Sequence, residues 1–328
     1  MSAADGRSGA LTIRAGRRQV DISRPDKPLF PCGITKAELA GYYEQVAPAM
    51  LPHLRGRPLN LERYPDGITG ERIIQQRAGR YFPGWIKRVS VAKRGGAVDH
   101  VMAGEAATLV YLAGQACITF HPWLSRQDAL TRPDRLIFDL DPSTEAPAEL
   151  RRAARIMVGV LRELGLEPWV MTTGSRGYHL TIPLQRRADF DAVREFARGV
   201  ASLAVTREPR LFTTEARKAR RGQAILIDVM RNAYAHTAVA PYSVRPRPGA
   251  PVATPIRLEE LDETETRADR WTLRTVSERL AGEGDPWAEI SRHAVVLTGS
   301  RRRLKDALAE AARSPSPPPR TPRRSPRR

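Results

Sequence analysis

One short apolar run that carries two carboxylates constrains this chain more than any other stretch. Residues 135–143 have the sequence RLIFDLDPS. In a β-strand, Asp139 and Asp141 would project from the same face, because alternate side chains of a strand point the same way. Leu140 would then point into the core, and Pro142, which cannot donate a ladder hydrogen bond, would end the strand. Paired carboxylates there suit a divalent cation; the alternative is a solvated strand end beside a turn.

A second apolar run ends in a single carboxylate. Residues 224–228 have the sequence AILID, so Asp228 also closes a predicted strand. Three acids on neighbouring strand ends favour a site for two divalent cations. Such sites stabilise both oxygens of an in-line phosphoryl displacement. The two runs together therefore predict phosphoryl-transfer chemistry at one end of a sheet.

The charge balance indicates a polyanionic partner. The 328 residues include 54 Lys and Arg against 36 Asp and Glu, which gives a net charge of +18, and nucleic acid is the simplest partner for such a chain. Cys32 and Cys117 lie far apart without metal-ligand spacing, which favours two small core residues in a reducing cytoplasm. The sequence predicts neither a membrane span nor a signal peptide.

The middle of the chain alternates strand and helix patterns. This predicts an α/β (α+β) fold with a central mixed sheet flanked by helices. Thr35, with Glu38 three residues on, predicts a capping box and a helix from Lys36 to about Met50, which Pro52 would end.

Four segments are predicted along the chain. Residues 1–19 are basic and rich in Gly and Ala, and we expect them to be disordered. Residues 20–290 form one catalytic unit, because no linker-like composition interrupts them. Residues 291–312 are a helical extension, and residues 313–328 are a disordered tail of Arg, Pro and Ser with one Thr.

A turn with two glycines follows the paired acids by about thirty residues. In residues 173–179, TGSRGYH, Gly174 and Gly177 permit close approach of the backbone to a ligand, and the N–H groups of such a turn can form an anion-binding nest. Arg176 adds a guanidinium fork that matches phosphate. His179 could hydrogen-bond a phosphate or a sugar hydroxyl. The motif favours a nucleotide site, although a plain turn remains the alternative.

Other polar residues have weaker local signals. His121, before Pro122, is read from its neighbours as a core histidine, and Lys27 and Lys36 are read as surface lysines. The loop after Asp228 supplies side chains suited to a triphosphate or a nucleic-acid backbone, or else forms a solvated basic surface. Its members are Asn232, His236, Tyr242, Ser243, Arg245 and Arg247.

Taken together, these segments resemble the polymerase domain of the bacterial multifunctional repair ligase, ligase D, of the archaeo-eukaryotic primase superfamily. The resemblance covers residues 20–290, and the set of motifs is specific in order and spacing. The matching segments are RPDK at 24–27, FP at 30–31, GITK at 33–36, LPHLRGRP at 51–58, ATLVYLA at 107–113, HPW at 121–123, FDLDP at 138–142, TGSRGYH at 173–179, RNA at 231–233, VAPYSVR at 239–245 and RWTL at 270–273.

The resemblance implies a primase-like catalytic fold and a set of roles. The family extends DNA ends in non-homologous end joining, often with ribonucleotides and with Mn²⁺, or Mg²⁺, as the metal. Asp139, Asp141 and Asp228 match its metal-binding acids. The positions that match its nucleotide contacts are His121, Ser175, Arg176, His179 and Arg245, and those that match its 5′-phosphate contacts are Lys27 and Lys36. A bacterial, nucleoid-associated cytoplasmic setting follows from the same resemblance.

Two departures from the family pattern affect the expected partners. The sequence contains no ligase or nuclease domain, so we expect a free-standing form that works with a separate DNA ligase and a Ku-type end-binding protein. Ile73 and Ile74 stand where better-studied members carry adjacent aromatic residues that stack on template bases. Handling of the template is therefore expected to differ.

Two other functions compete with nucleotide transfer. The DLDPS sequence at 139–143 echoes the nucleophile motif of haloacid-dehalogenase-like phosphatases, although Asp228 stands alone where that family needs paired late acids, and a charge of +18 is odd for such an enzyme. The second alternative is a catalytically inactive DNA-end-binding paralogue, which the presence of all three acids disfavours.

Overall fold

A computed structural model describes residues 9–313. The strands are β1 Leu11–Ala15, β2 Arg18–Ile22, β3 Leu59–Arg63, β4 Ile73–Gln75, β5 Arg88–Lys93, β6 Gly96–Val101, β7 Cys117–Pro122, β8 Arg135–Asp141, β9 Trp169–Thr172, β10 Tyr178–Pro183, β11 Phe212–Thr213, β12 Ile225–Asp228 and β13 Thr254–Ile256. The helices are α1 Lys36–Leu54, α2 Ala106–Gly114, α3 Pro147–Glu163, α4 Phe190–Arg207, α5 Val276–Glu283 and α6 Thr298–Arg313.

The paired acids lie on a central strand of the larger sheet. Its six strands run in the order β11–β12–β8–β10–β9–β13, with one parallel pair, β11 and β12, and antiparallel pairs elsewhere. Helices α3 and α4 pack on β8. A second sheet has the order β4–β3–β6–β5, with β7 also paired to β3. The expected mixed sheet flanked by helices is therefore confirmed.

One continuous cluster of buried apolar side chains joins the two sheets. It includes Leu61 and Phe120 from the second sheet and Phe138 and Leu180 from the first. Because both sheets share this core, the second sheet is held in place against the strand that carries the acids. Among the described residues, no helix is long and apolar enough to cross a membrane.

The N-terminal prediction is wrong for its described part. Instead of disorder up to residue 19, β1 and β2 form an antiparallel hairpin in which Leu11 pairs with Ile22 and Ala15 with Arg18. The turn uses Gly16 at φ +62°, a conformation that glycine adopts without strain. Val20 and Ile22 are buried, so burial of one face outweighs the basic composition. Residues 1–8 and the predicted tail from residue 314 onward lie outside the described residues.

Helix α1 begins as predicted but ends later. The Thr35 hydroxyl accepts from the Glu38 backbone N–H and the Glu38 carboxylate accepts from the Thr35 N–H, which confirms the capping box. The helix runs on through Pro52 to Leu54. Each internal proline removes one backbone hydrogen bond, but the final turn buries Leu54 in the core and this packing keeps it helical. Helix α6 extends from Thr298 to Arg313, one residue past the predicted C-terminal extension and into the predicted tail.

Asn232 fixes the strand that carries the paired acids. Its buried side chain accepts from the Ile137 backbone N–H at 2.8 Å and donates to the Ile137 carbonyl at 2.7 Å. The amide thus continues the ladder of β8 where β12 has ended. We expect Asn232→Ala to lower the free energy of unfolding by about 2–4 kcal/mol, because two buried backbone groups of β8 lose their partners.

Urea denaturation of the unaltered protein and the variant measures this loss. Asn60→Ala is the matched control, since the Asn60 side-chain oxygen has no partner among the described residues, and its effect should stay below about 1 kcal/mol. Equal losses in the two variants would show that Asn232 does not hold β8 in this way.

Candidate active site

Three predicted site residues lie side by side across adjacent strands. Asp139 of β8 pairs in register with Asp228 of β12 on one side and with His179 of β10 on the other. Neighbouring strands are about 4.8 Å apart, so the register alone brings these side chains together. Asp141 lies two residues further along β8 on the same face, as the alternation predicted.

Arginines and a histidine contact two of the carboxylates. The Oδ2 atom of Asp139 lies 3.4 Å from His179 Nε2 and 3.4 Å from Arg231 Nε. Asp141 accepts from Arg221 Nη1 at 3.0 Å, and Arg176 Nη2 lies 3.6 Å from its other oxygen. Burial raises the pKa of Asp139, but His179 and Arg231 outweigh that effect and leave the pKa below its ordinary value.

The turn between β9 and β10 has little free space at its glycines. Gly174 has φ +62°, and a Cβ atom there would lie 2.7 Å from the Val252 carbonyl carbon. A Cβ atom at Gly177 would clash with the Leu140 carbonyl oxygen. Glycine is thus required at both positions, and the turn holds Ser175 and Arg176 directly beside the strand that bears the acids.

The second sheet contributes His121 and its partner. His121 Nε2 lies 3.0 Å from Glu62 Oε2. The other Glu62 oxygen accepts from Tyr64 at 3.0 Å and pairs with Arg72 Nε at 2.7 Å. Burial raises the pKa of Glu62, but His121 and Arg72 lower it to about 2 overall. Glu62 therefore stays ionised and fixes the His121 ring at the edge of the site.

All eight residues predicted for catalysis and nucleotide contact line one open cleft of about 260 Å³. They are His121, Asp139, Asp141, Ser175, Arg176, His179, Asp228 and Arg245. Arg231 lines the same cleft and was missed as a site residue. Arg245 is largely buried, and its Nε has no hydrogen-bond partner among the described residues. The cleft thus presents donors in excess of its protein acceptors, which suits an anionic ligand.

The two predicted phosphate-binding lysines lie together, away from this cleft. The Lys36 backbone N–H donates to the Lys27 carbonyl at 2.9 Å. Lys27 Nζ lies 2.7 Å from Asp66 Oδ1, and Lys36 Nζ donates to the Ser23 carbonyl at 2.6 Å. Burial, and then Arg24 and Lys27, lower the pKa of Lys36. Arg24, Lys27 and Lys36 therefore lie close enough near the start of α1 for their charges to interact.

The three acids offer the oxygen ligands that a hard cation prefers, but their side chains do not converge on a single point. Among residues 9–313, no three His, Cys, Asp or Glu side chains are arranged to hold a metal ion. The oxygens of Asp139 and Asp141 are directed instead to Arg231 and Arg221, and Asp228 Oδ1 accepts from the Met230 N–H at 2.7 Å. Three carboxylates remain the ligand set that Mg²⁺ and Mn²⁺ prefer.

The acids lie at one end of the central strands of a mixed sheet, and an arginine-lined cleft lies beside them. This arrangement is that of a primase-polymerase, a class of DNA nucleotidyltransferase. The family model of the LigD primase-polymerase domain matches residues 35–287, and the chain belongs to this family. The predicted fold and enzyme class are thereby confirmed, and the dehalogenase-like phosphatase is excluded.

Similar proteins cover most of the chain. Multifunctional non-homologous end joining protein LigD of Pseudomonas aeruginosa is 34% identical over 307 residues, which are 92% of this chain and 36% of that protein. The Mycolicibacterium smegmatis counterpart is 31% identical over 308 residues, 92% of this chain and 40% of that protein. The polymerase domain of Mycobacterium tuberculosis ligase D, solved in complex with DNA, has a TM-score of 0.79 at 30% identity and covers 84% of this chain and 99% of that chain. The chain therefore spans less than half the length of the two multifunctional relatives.

Proposed function

We propose that this protein adds nucleotides to a primer 3′-hydroxyl at DNA ends and gaps during non-homologous end joining. The observation that carries the proposal is the convergence of eight predicted residues in one cleft. The DNA-bound polymerase domain that this chain resembles supports DNA as the substrate. A separate ligase and a Ku-type protein would complete the repair, in the bacterial cytoplasm at the nucleoid.

Each part of the cleft has a task in this reaction. Arg176 and Arg245 would bind the triphosphate of the incoming nucleotide, since guanidinium forks match phosphate oxygens. Ser175 lies in the turn and His179 lies on β10 just after it, where they would contact the sugar. Glu62 keeps the ring of His121 oriented toward the same ligand.

Asp139, Asp141 and Asp228 would hold two divalent cations, Mn²⁺ or Mg²⁺. Bound there, the cations would activate the primer hydroxyl and stabilise the charge on the transferring phosphoryl group. Asp139 and Asp141 are paired with Arg231 and Arg221, so these arginines would compete with the cations for the two acids. No protein nucleophile is needed.

Primer extension on gapped DNA tests the proposal. With Mn²⁺ and ribonucleotides, the unaltered protein should lengthen a primer by at least one nucleotide opposite a template base. Binding of the gap without any extension would instead identify the catalytically inactive DNA-end-binding paralogue.

Ribonucleotides should be used better than deoxyribonucleotides. The 2′-hydroxyl both donates and accepts hydrogen bonds, and one net hydrogen bond of about 0.5–1.5 kcal/mol gives roughly a 2- to 10-fold advantage in kcat/KM. Single-nucleotide addition with matched pairs of nucleotides measures the ratio. Ser175→Ala should reduce it toward one, whereas Ser277→Ala, outside the cleft, should not. Equal use of both sugars by the unaltered protein would contradict this assignment.

A further inference from the structure

A second cleft, of about 400 Å³, lies at the far end of β8 from the catalytic carboxylates. Arg135 begins this strand and Asp141 ends it, so at about 3.3 Å per residue the two sites are roughly 20 Å apart. The loop after α1, the loop before β8 and the end of β10 form its walls. None of its lining residues belongs to the catalytic cleft.

Positive charge dominates this second cleft, which we call the arginine cleft. Five arginines and two aspartates line it, which leaves a net charge of +3. The arginines are Arg55, Arg57, Arg126, Arg135 and Arg186, and the aspartates are Asp128 and Asp134. Such an excess in a concave surface attracts anions more strongly than the same charges spread over a convex one.

The two aspartates are already engaged. Asp134 pairs with Arg57 Nη1 at 2.7 Å and with Arg126 Nε at 2.7 Å. Burial raises the pKa of Asp134, but Arg57 and its other arginine neighbours hold it at about 2 overall, so this carboxylate is always charged. Asp128 pairs with Arg186 Nη1 at 2.5 Å. Asp134 is therefore shared among Arg57, Arg126 and, at longer range, Arg135, and Asp128 is paired with Arg186.

Arg135 is a buried cation that takes part in none of these ion pairs. It is 7% exposed, and no carboxylate lies within 4.0 Å of its guanidinium among the described residues. Its Nη2 donates to His53 Nδ1 at 3.1 Å. Burial lowers the pKa of His53 to about 4, so this partner is neutral. A buried guanidinium whose attracting carboxylate, Asp134, is already paired with two other arginines is poorly compensated, and an anion in the cleft would add counter-charge.

We propose that the arginine cleft is a second anion site, which binds the phosphate groups of a small phosphorylated molecule. The five arginines of the lining come from several segments of the chain, and guanidinium forks match the oxygens of a phosphate. The volume falls within the range of small-molecule sites, about 300–1,000 Å³. The proposal stands apart from nucleotide transfer, because the site shares no residue with the catalytic cleft.

Calorimetric titration with tripolyphosphate, in the absence of metal, tests the site. The variant Arg55→Ser/Arg186→Ser removes two charges at the mouth and leaves the buried Arg57 and Arg135 in place. We expect it to lose one binding site, with at least a tenfold loss of affinity there. The control Arg198→Ser/Arg302→Ser removes two exposed arginines elsewhere and should keep every site.

A second readout follows the buried groups directly. The side-chain NMR signals of Arg57 and Arg135 should shift on addition of tripolyphosphate, in the unaltered protein and in Arg176→Ser/Arg245→Ser, whose catalytic cleft is weakened.

ATP that binds as tightly as tripolyphosphate would identify a polyphosphate ligand, and ATP that binds more tightly would identify a nucleotide. Unshifted signals, or an unchanged number of sites in the mouth variant, would overturn the proposal. Displacement of tripolyphosphate by an equimolar DNA duplex would overturn it in favour of nucleic acid.

Discussion

Replacing Asp139 or Asp228 with alanine is expected to lower nucleotide addition by at least about 1,000-fold. The reason is that bound divalent cations supply several kcal/mol of transition-state stabilisation, and about 4 kcal/mol corresponds to a factor of that size. Single-turnover extension with Mn²⁺ measures the loss. Affinity for gapped DNA should change little, because under the proposed function the basic surface, and not these acids, would contact the phosphates.

Two further variants test whether the loss of activity is specific to the acids of the cleft. Asp139→Asn preserves shape beside His179 and Arg231 and should be as inactive as Asp139→Ala. Asp191→Ala removes a carboxylate whose side chain is 91% exposed on α4, and it should remain fully active. Extension above a trace by either acid variant, once correct folding is established, would show that these carboxylates do not hold the catalytic metal.

The variant Lys27→Ala/Lys36→Ala should abolish the preference for a downstream 5′-phosphate. Charge-assisted hydrogen bonds contribute about 1.5–3 kcal/mol each, so the unaltered protein should bind a phosphorylated gap about 100-fold more tightly than an unphosphorylated one. Lys36 is already partly desolvated, which strengthens its attraction for an anion. Fluorescence anisotropy with the two gapped substrates measures the ratio.

Control substitutions separate this pocket from general basic charge. Lys87→Ala/Lys93→Ala removes two exposed lysines of equal charge and should weaken both substrates alike. Lys36→Met retains most of the buried alkyl stem in case alanine disturbs the fold. Equal binding of the two gaps by the unaltered protein would contradict the assignment of both lysines.

The isoleucines link this preference to template handling. Ile74 is 48% exposed and pairs in register with Glu62, which contacts His121 at the edge of the catalytic cleft. Base–aromatic stacking contributes about 1–3 kcal/mol per base, and an isoleucine offers no aromatic face. The phosphate pocket would then carry more of the DNA positioning, and Ile73→Phe/Ile74→Phe should partly relieve the dependence on it.

The strand that carries the paired acids was predictable because its signal is local. The apolar run, the two-residue spacing of Asp139 and Asp141, and the proline after them all lie within nine residues. Pairing with Asp228 required only that two strands with acidic ends be neighbours in one sheet. The turn at Gly174 and Gly177 was likewise readable, because only glycine fits at both positions.

The missing parts of the site depend on contacts between distant segments. Glu62 meets His121 across two strands that are 59 residues apart in sequence, and Arg221 meets Asp141 over 80 residues. Neither residue belongs to a local pattern. The N-terminal hairpin had a local signal, in the alternation around Gly16, but its basic composition masked that signal. Burial of Val20 and Ile22 against the main core decided the outcome.

The central claim is that Asp139, Asp141 and Asp228 hold divalent cations, with Asp139 and Asp141 released from their present arginine partners. Titration with Mn²⁺ followed by electron paramagnetic resonance, with a non-hydrolysable nucleotide present, tests it most directly. We predict that the unaltered protein binds two Mn²⁺ ions, and that Asp139→Asn and Asp228→Asn each lose at least one. Retention of both ions by the two variants, or no binding by the unaltered protein, would contradict the claim.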